Sequence, residues 1–144
     1  MAFSANRTIS GTWGEVWLDG ELVSECYGLT AKAKFNRETV AQCGVMGNDG
    51  KITSIDFSGT MRLNKVFSRM SIKIGEKIQG GQDVRFTIIS KLADPDAYGA
   101  ERVVLKNVSF DDLTLADWEA KKNSAVECPF VFSDYEFLDQ IEVR

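Results

Sequence analysis

Apolar and polar positions alternate in several short runs along the chain, and each run predicts a strand. Val16 and Leu18 alternate with Glu15 and Trp17 until Asp19-Gly20 interrupts, and more strand follows. Asp-Gly between alternating runs predicts a tight hairpin, because a type I′ turn needs positive φ at both central residues. Leu29, Ala31, Ala33 and Phe35 then alternate with Thr30, Lys32 and Lys34, the pattern of a half-buried strand. The cleanest strand follows, with Ile55, Phe57, Gly59, Met61 and Leu63 on one face and Ser54, Asp56, Ser58, Thr60, Arg62 and Asn64 on the other. Gly59 on the apolar face predicts a bend or bulge where another group packs closely.

The period changes near Lys65. Val66, Met70, Ile74 and Ile78 recur every fourth residue, Phe67 widens the stripe, and Gly80-Gly81 supplies a stop. The spacing predicts one amphipathic helix over Ser68–Gln79, although Gly75 weakens its interior and an all-β alternative would split it into strands. Further strands are expected in "DVRFTIISKLAD" and "ERVVLKNVSFDDLTL", around a turn in "DPDAYGA". "DWEAKKNSA" reads as a polar connector, and "VECPFVFSDYEF" as a last strand with Val126, Cys128, Phe130 and Phe132 on one face. Pro129 has no N–H for a ladder and marks an edge or a bulge. The tally predicts a mainly β domain (α+β): two packed antiparallel sheets, or a flattened barrel, with one flanking helix.

One stretch departs from these patterns. "NRETVAQCGVMGNDGK", Asn36–Lys51, shows neither strand alternation nor a helical stripe, yet Val40, Val45 and Met46 keep it from being purely polar. A structureless connection of that length is unusual in a compact domain and tends to be functional or disordered. Met1–Thr12 is small and polar apart from Phe3 and Ile9, and reads as an arm that orders only by docking on something.

Composition narrows the chemistry. The 144 residues, 44% hydrophobic and 26% charged, suit one globular domain. Met1–Ser10 lacks the layout of a signal peptide and no apolar run could span a bilayer, so folding in a cytoplasm and no membrane binding are expected. There is no histidine, which removes Ser-His-Asp and Cys-His catalysis and most transition-metal sites. Cys26, Cys43 and Cys128 are odd in number and widely spaced, without a CxxC pair, and read as reduced thiols. "GVMGNDG" lacks the spacing of a phosphate cradle, and Asp94 and Asp96 lack that of a calcium loop. Trp13, Trp17 and Trp118 could form a ligand platform, but core or subunit-interface packing is the commoner use. No catalytic residue, cofactor or metal is therefore predicted.

Charge is unevenly spread. Residues Asp111 to Arg144 hold nine acids against three bases, −6, which leaves +2 on residues 1–110 within a total of −4. Such asymmetry fits either solvated surface or charge complementarity between copies. The polar strand face Ser54, Asp56, Ser58, Thr60 and Arg62 fits ordinary solvent exposure and the wall of a wide aqueous channel equally well.

Several segments, in order, resemble the tail tube (core tail) proteins of PBSX-type prophages, contractile-tailed phages and phage-tail-like bacteriocins. They are "TISGTWGEVWLDGELV", "FSGTMRLNKVFSRM", "GGQDVRFTIISKLAD", "GAERVVLKNVSFDDL" and "ECPFVFSDYEF", spread over nearly the whole chain. The resemblance implies a tail-tube-like protomer that forms homohexameric rings stacked into a hollow tube. Implied partners are a sheath protein, a baseplate or tube initiator and a tape-measure protein, with DNA passing through the lumen without specific binding. It places the subunit in a virion tail or tailocin particle. It also implies that the loop Asn36–Lys51 reaches a neighbouring subunit or ring, through Asn36, Arg37, Glu38, Val40, Val45, Met46, Asn48, Asp49 and Lys51. The N-terminal arm with Phe3, Arg7 and Ile9 would dock as well, and the Ser54–Arg62 face could line the lumen. A type VI-like secreted ring protein shares these expectations. A ligand-binding β-barrel of lipocalin type is a third reading, which predicts a monomer with an apolar cavity.

Overall fold

A computed structural model describes residues 2–143; Met1, the first residue of the expected arm, and Arg144, the last of the acidic segment, lie outside the described residues. Among the described residues eight strands form in chain order: β1 (Gly14–Leu18), β2 (Glu21–Leu22), β3 (Cys26–Val40), β4 (Asp49–Asn64), β5 (Phe86–Leu92), β6 (Glu101–Phe110), β7 (Ala125–Phe132) and β8 (Asp134–Asp139). All pairings are antiparallel, in the order β2-β1-β5-β6-β7-β4-β3, with β8 also on β6.

The first turn follows its residues. Asp19 and Gly20 both have positive φ, 50° and 84°, as a type I′ turn requires. The Asp19 carboxylate also accepts from the Thr87 N–H at 2.8 Å, tying the turn to β5.

The sheet folds back on itself at β6. Its first part pairs with β8 (Val104 with Glu136, Lys106 with Asp134), and its last two residues pair with β7. Between them Asn107 takes a left-handed φ of 58°, a conformation asparagine tolerates better than most residues. The ladder with β5 is irregular here, and Leu105 and Val108, three apart, are both buried. The kink thus falls where β6 changes partners, so the two halves of the sheet share one core. That core joins Val16 and Leu18 of β1, Ile88 of β5, Met61 of β4 and Phe130 of β7. Rings of Phe86, Phe110, Phe130, Phe132 and Phe57 follow one another at centroid separations of 5.2 to 6.0 Å.

Gly59 is where the hairpin β3–β4 meets this aromatic row. A Cβ there would lie 2.3 Å from the Thr30 carbonyl oxygen and 2.6 Å from the Phe130 ring. The close approach expected at Gly59 is therefore the Phe130 face, while the expected bulge is absent, since both ladders run through Gly59 in unbroken register. Pro129, by contrast, lies inside the sheet rather than at an edge: it sits opposite Thr60. Its carbonyl accepts from the Asp111 N–H at 2.9 Å, on the side where β6 has just ended. The missing donor faces a place where no ladder bond is needed.

The expected helix is present over 69–79, as a wide π-type turn at Ser71–Gly75 followed by an α-helical turn at Glu76–Gln79. Met70 and Ile74 anchor it in the core, and Leu113 packs against Gly75. Val66, Phe67 and Ile78 remain exposed, so the stripe read from the sequence is only partly buried.

The helix is also pinned by charge. The Arg69 guanidinium contacts both carboxylate oxygens of Glu25, at 2.5 and 3.2 Å, and reaches Glu21 at 3.4 Å, to which Lys73 also binds at 2.9 Å. Glu25 is buried, and its bonds to Arg69 hold its carboxyl below the ordinary carboxylate range. Because the folded value is depressed, the stability Glu25 contributes is fully present above that ordinary range. It is lost as the pH falls through the folded value. R69A should strand a buried carboxylate and cost about 3 kcal/mol in urea unfolding at pH 7. The deficit relative to the parent protein should shrink on acidification, and a deficit independent of pH would refute the pairing.

Candidate assembly surface

The expected loop Asn36–Lys51 is mostly not a loop. Strand β3 runs on through Asn36, Arg37, Glu38 and Val40, and β4 starts at Asp49 and includes Lys51; only residues 41–48, with Val45, Met46 and Asn48, connect them. Pairing continues from Phe35–Ile55 through Asn36–Ser54 to Val40–Asp49, with one irregularity between Asn36 and Arg37. The correction has a physical cause. Alternation marks a strand only where one face is buried, and here neither is.

Strand β7 accompanies β4 only as far as Phe57. Beyond it β3 and β4 form a two-stranded ribbon that projects roughly 25 Å from the body, at about 3.3 Å per residue. Phe35, Val40, Val45, Ile52 and Ile55 are about half exposed, and Met46 is 102% exposed. An isolated two-stranded ribbon is marginal in water, and this one presents apolar side chains and unpaired edges together.

One face of the β3–β4 hairpin, from the body out into the ribbon, is polar. Ser54, Asp56, Ser58, Thr60 and Arg62, singled out in the sequence, lie on a common face, and the register adds Thr30, Lys32, Lys34 and Asn36 opposite them. The Asn36 amide donates to the Ser54 hydroxyl (3.1 Å) and to Asp56 (2.9 Å). The Arg62 guanidinium lies over Gly28, where a Cβ would come within 2.7 Å of it, and donates to the Thr30 hydroxyl. The contribution of Lys32 and Lys34 escaped the sequence reading. Their strand alternation was visible, but the register that sets them beside Ser58 and Asp56 was not.

The N-terminal arm docks on its own chain. Arg7 donates to the Asp96 carbonyl at 3.1 Å and stacks over the Tyr98 ring at 4.8 Å, and the Ser10 N–H donates to Asp94. Asp94 also accepts from the Asp96 N–H, so it serves as a turn and arm cap. Ile9 is half buried against the body while Phe3 stays 75% exposed.

The acidic C-terminal segment divides into two parts. On β8, Asp139 pairs with Arg102 and Glu136 with Lys106. In the connector 111–124, Asp111, Asp112 and Asp117 have no ion-pair partner among the described residues. Leu115 (84%) and Trp118 (80%) are exposed beside them. None of the three tryptophans is a core residue.

Chemistry of other kinds finds little support. The pocket under the helix, about 20 Å³, has room for about one water and not for a larger ligand. A larger cleft, about 630 Å³, opens between the diverging strands β1 and β3 near Tyr27 and Arg62. It is a seam between sheet edges rather than a barrel interior. Burial pushes the Cys26 thiol up and that of Cys128 up to about 11, which leaves Cys43, exposed at the ribbon tip, as the accessible thiol.

Comparison with known proteins identifies the family and the fold. A family model described as phage tail tube protein matches residues 1–139. The chain is 31% identical over 144 residues to the Bacillus subtilis (strain 168) protein YqbM, covering 99% of this chain and 98% of that protein. It is 30% identical over 143 residues to the phage-like element PBSX protein XkdM of the same organism, covering 98% and 97%. Its fold is similar to that of a chain in the cryo-EM structure of an extracellular contractile injection system, the PVC sheath–tube complex in the extended state. The TM-score there is 0.68 at 12% identity, over 94% of this chain and 98% of that one.

Proposed function

The chain belongs to the phage tail tube protein family, and from that premise we propose that it is the repeating subunit of the inner tube of a contractile phage-like tail, closing into hexameric rings that stack around a channel. As a member of a structural family it is not an enzyme. The observation that carries the finer reading is the projecting ribbon, whose outer edges are unpaired and whose apolar side chains are left about half exposed or more by the described residues. In this reading the free edge of β3 pairs with a neighbour around the ring, and the ribbon tip reaches the next ring. Both contacts join unlike patches, so they generate rings and open stacks instead of closed dimers. The polar face of Lys32, Ser54, Ser58 and Thr60 lines the channel, where small hydroxyl groups let cargo pass without sticking.

The nearly full-length match to a PBSX protein favours a phage-like tail over a secreted ring protein. The packed core argues against a lipocalin-type barrel. A sheath, a baseplate and a tape-measure protein are the partners such a tube needs, and the particle is assembled inside the bacterial host.

Light scattering and negative-stain microscopy of the purified protein should find rings or tubes. With Cys26, Cys43 and Cys128 replaced, S58C should react with a bulky maleimide in monomers but not in intact tubes, while a small thiol reagent labels both. A monodisperse monomer at every concentration tried would overturn the function. Equal labelling of tubes by both reagents would place this face outside.

A further inference from the structure

We propose that a second copy of this chain, the neighbour around the ring, covers one continuous apolar face: Phe35, Ile52 and Ile55 on the ribbon together with Tyr135 and Phe137 on β8. The inference rests on the tube reading and names a contact face that the reading leaves open.

Register and ring contacts bring these residues together. Phe35 pairs with Ile55, and Ala33 with Phe57 one step nearer the body, so the four share the face opposite Ser54, Asp56 and Ser58. The Phe57 ring lies 5.7 Å from that of Tyr135, which lies 5.9 Å from that of Phe137. On its other side Phe57 meets Phe132 at 5.2 Å. The face is therefore the core's own aromatic row carried outward past Phe57, where β7 stops.

Ile52 joins it through the irregularity in the ladder. Asn36 pairs with Ser54 but Arg37 with Ile52, which leaves Thr53 without a partner on β3. The Thr53 hydroxyl donates to the Asn36 carbonyl at 3.4 Å instead. Phe35 and Arg37 lie on one face of β3, so Ile52 and Ile55, three apart, lie on one face of β4. In an unbroken ladder Ile52 would stand among the polar residues. The extra residue keeps it off the polar face and adds it to this one.

In a lone subunit the face is incompletely covered. Phe35, Ile52, Ile55, Tyr135 and Phe137 are 40–48% exposed. At roughly 100 Å² each they leave about 500 Å² open, more than half of the about 800 Å² that each partner buries in a stable interface. No charged residue falls on this face between Ala31 and Phe35 or between Ile52 and Gly59, as suits the centre of an interface; Arg37 is the first. The neighbour is brought to the face by the free edge of β3. A strand added there runs about 4.8 Å away, which sets its side chains beside Ala33 and Phe35. The outer edge of β8 is free as well among the described residues. A copy that pairs with β3 thus arrives within side-chain reach of the whole face, and covering it adds apolar burial to the edge hydrogen bonds.

Hydroxyl-radical footprinting read by mass spectrometry compares free subunits with tubes assembled from the purified protein alone. Oxidation of Phe35, Tyr135 and Phe137 should fall by about fivefold or more in tubes. The double variant F35S/I55S should raise the concentration at which tubes form by about tenfold or more while its subunit stays folded. I52S, beyond the body of the subunit, should raise it severalfold and is read in its place if the double variant fails to fold. Equal oxidation in tubes and subunits, or an unshifted threshold, overturns this face and leaves the tube function standing. Protection that appears only when another protein of the particle is added overturns it too and assigns the face to that protein. Purified protein that never forms tubes would instead remove the function, and this face with it.

Discussion

Replacing residues 37–53 by an Asn-Gly turn that joins Asn36 to Ser54 yields a folded, soluble monomer that no longer forms tubes. The cut respects the register, because Asn36 and Ser54 are paired and Asn-Gly is suited to a two-residue hairpin. Nothing removed belongs to the core, which on this hairpin begins with the partly buried Phe57 and continues through Met61 and Leu63. Stability should therefore change by less than about 1 kcal/mol in urea unfolding. Assembly is affected far more. Met46 is fully exposed and Val40 and Val45 about half exposed, so covering them on a neighbour is worth on the order of 3–5 kcal/mol. Losing that shifts the assembly threshold by roughly two to four orders of magnitude, beyond practical concentrations. Tubes of normal length from the shortened protein would show that the ribbon is not the stacking element.

The largest effect on folding is expected at Gly59. In G59V the new Cβ would meet the Thr30 carbonyl oxygen at 2.3 Å and the Phe130 ring at 2.6 Å. The oxygen belongs to the backbone of β3 and cannot rotate away, and Phe130 is fully buried in the aromatic row. Relief requires β3 to separate from β4 or the row to move, at a cost of about 3 kcal/mol or more. F130L added to G59A should recover only part of the loss, since it frees the ring side and leaves the carbonyl. A cost for G59V under about 1 kcal/mol would mean that the two strands are not packed this closely.

Gly59 also shows what the sequence could tell. Its place in an otherwise apolar row announced a close approach, and Asp19-Gly20 announced its turn, because both depend on local backbone chemistry. The helix over 69–79 was legible because Met70 and Ile74 face the core and impose their period. The ribbon was not. Residues 36–40 and 49–51 have no inside and outside within one protomer, so no in-and-out pattern was written into them, and they read as irregular. The same holds for Leu115 and Trp118, which are exposed and carry no in-and-out pattern in a polar connector. The polar face was half legible. Ser54–Arg62 could be read along one strand, whereas Lys32 and Lys34 needed the cross-strand register. Pro129 misled because a strand's edge and the end of its partner look alike in sequence.

The free edge of β3 has a consequence for the subunit before it is assembled. The strand is fifteen residues long, and the outward N–H and C=O groups of every second residue would ordinarily invite random pairing with the next chain. Lys32 and Lys34 oppose that outcome. In an antiparallel self-pair centred on Ala33, Lys32 of one copy would sit directly across from Lys34 of the other, and like charges so placed are repulsive. The protein can then accumulate as a dissolved pool without clotting. In the tube reading, polymer then waits on the intended contacts rather than on stray pairing of this edge.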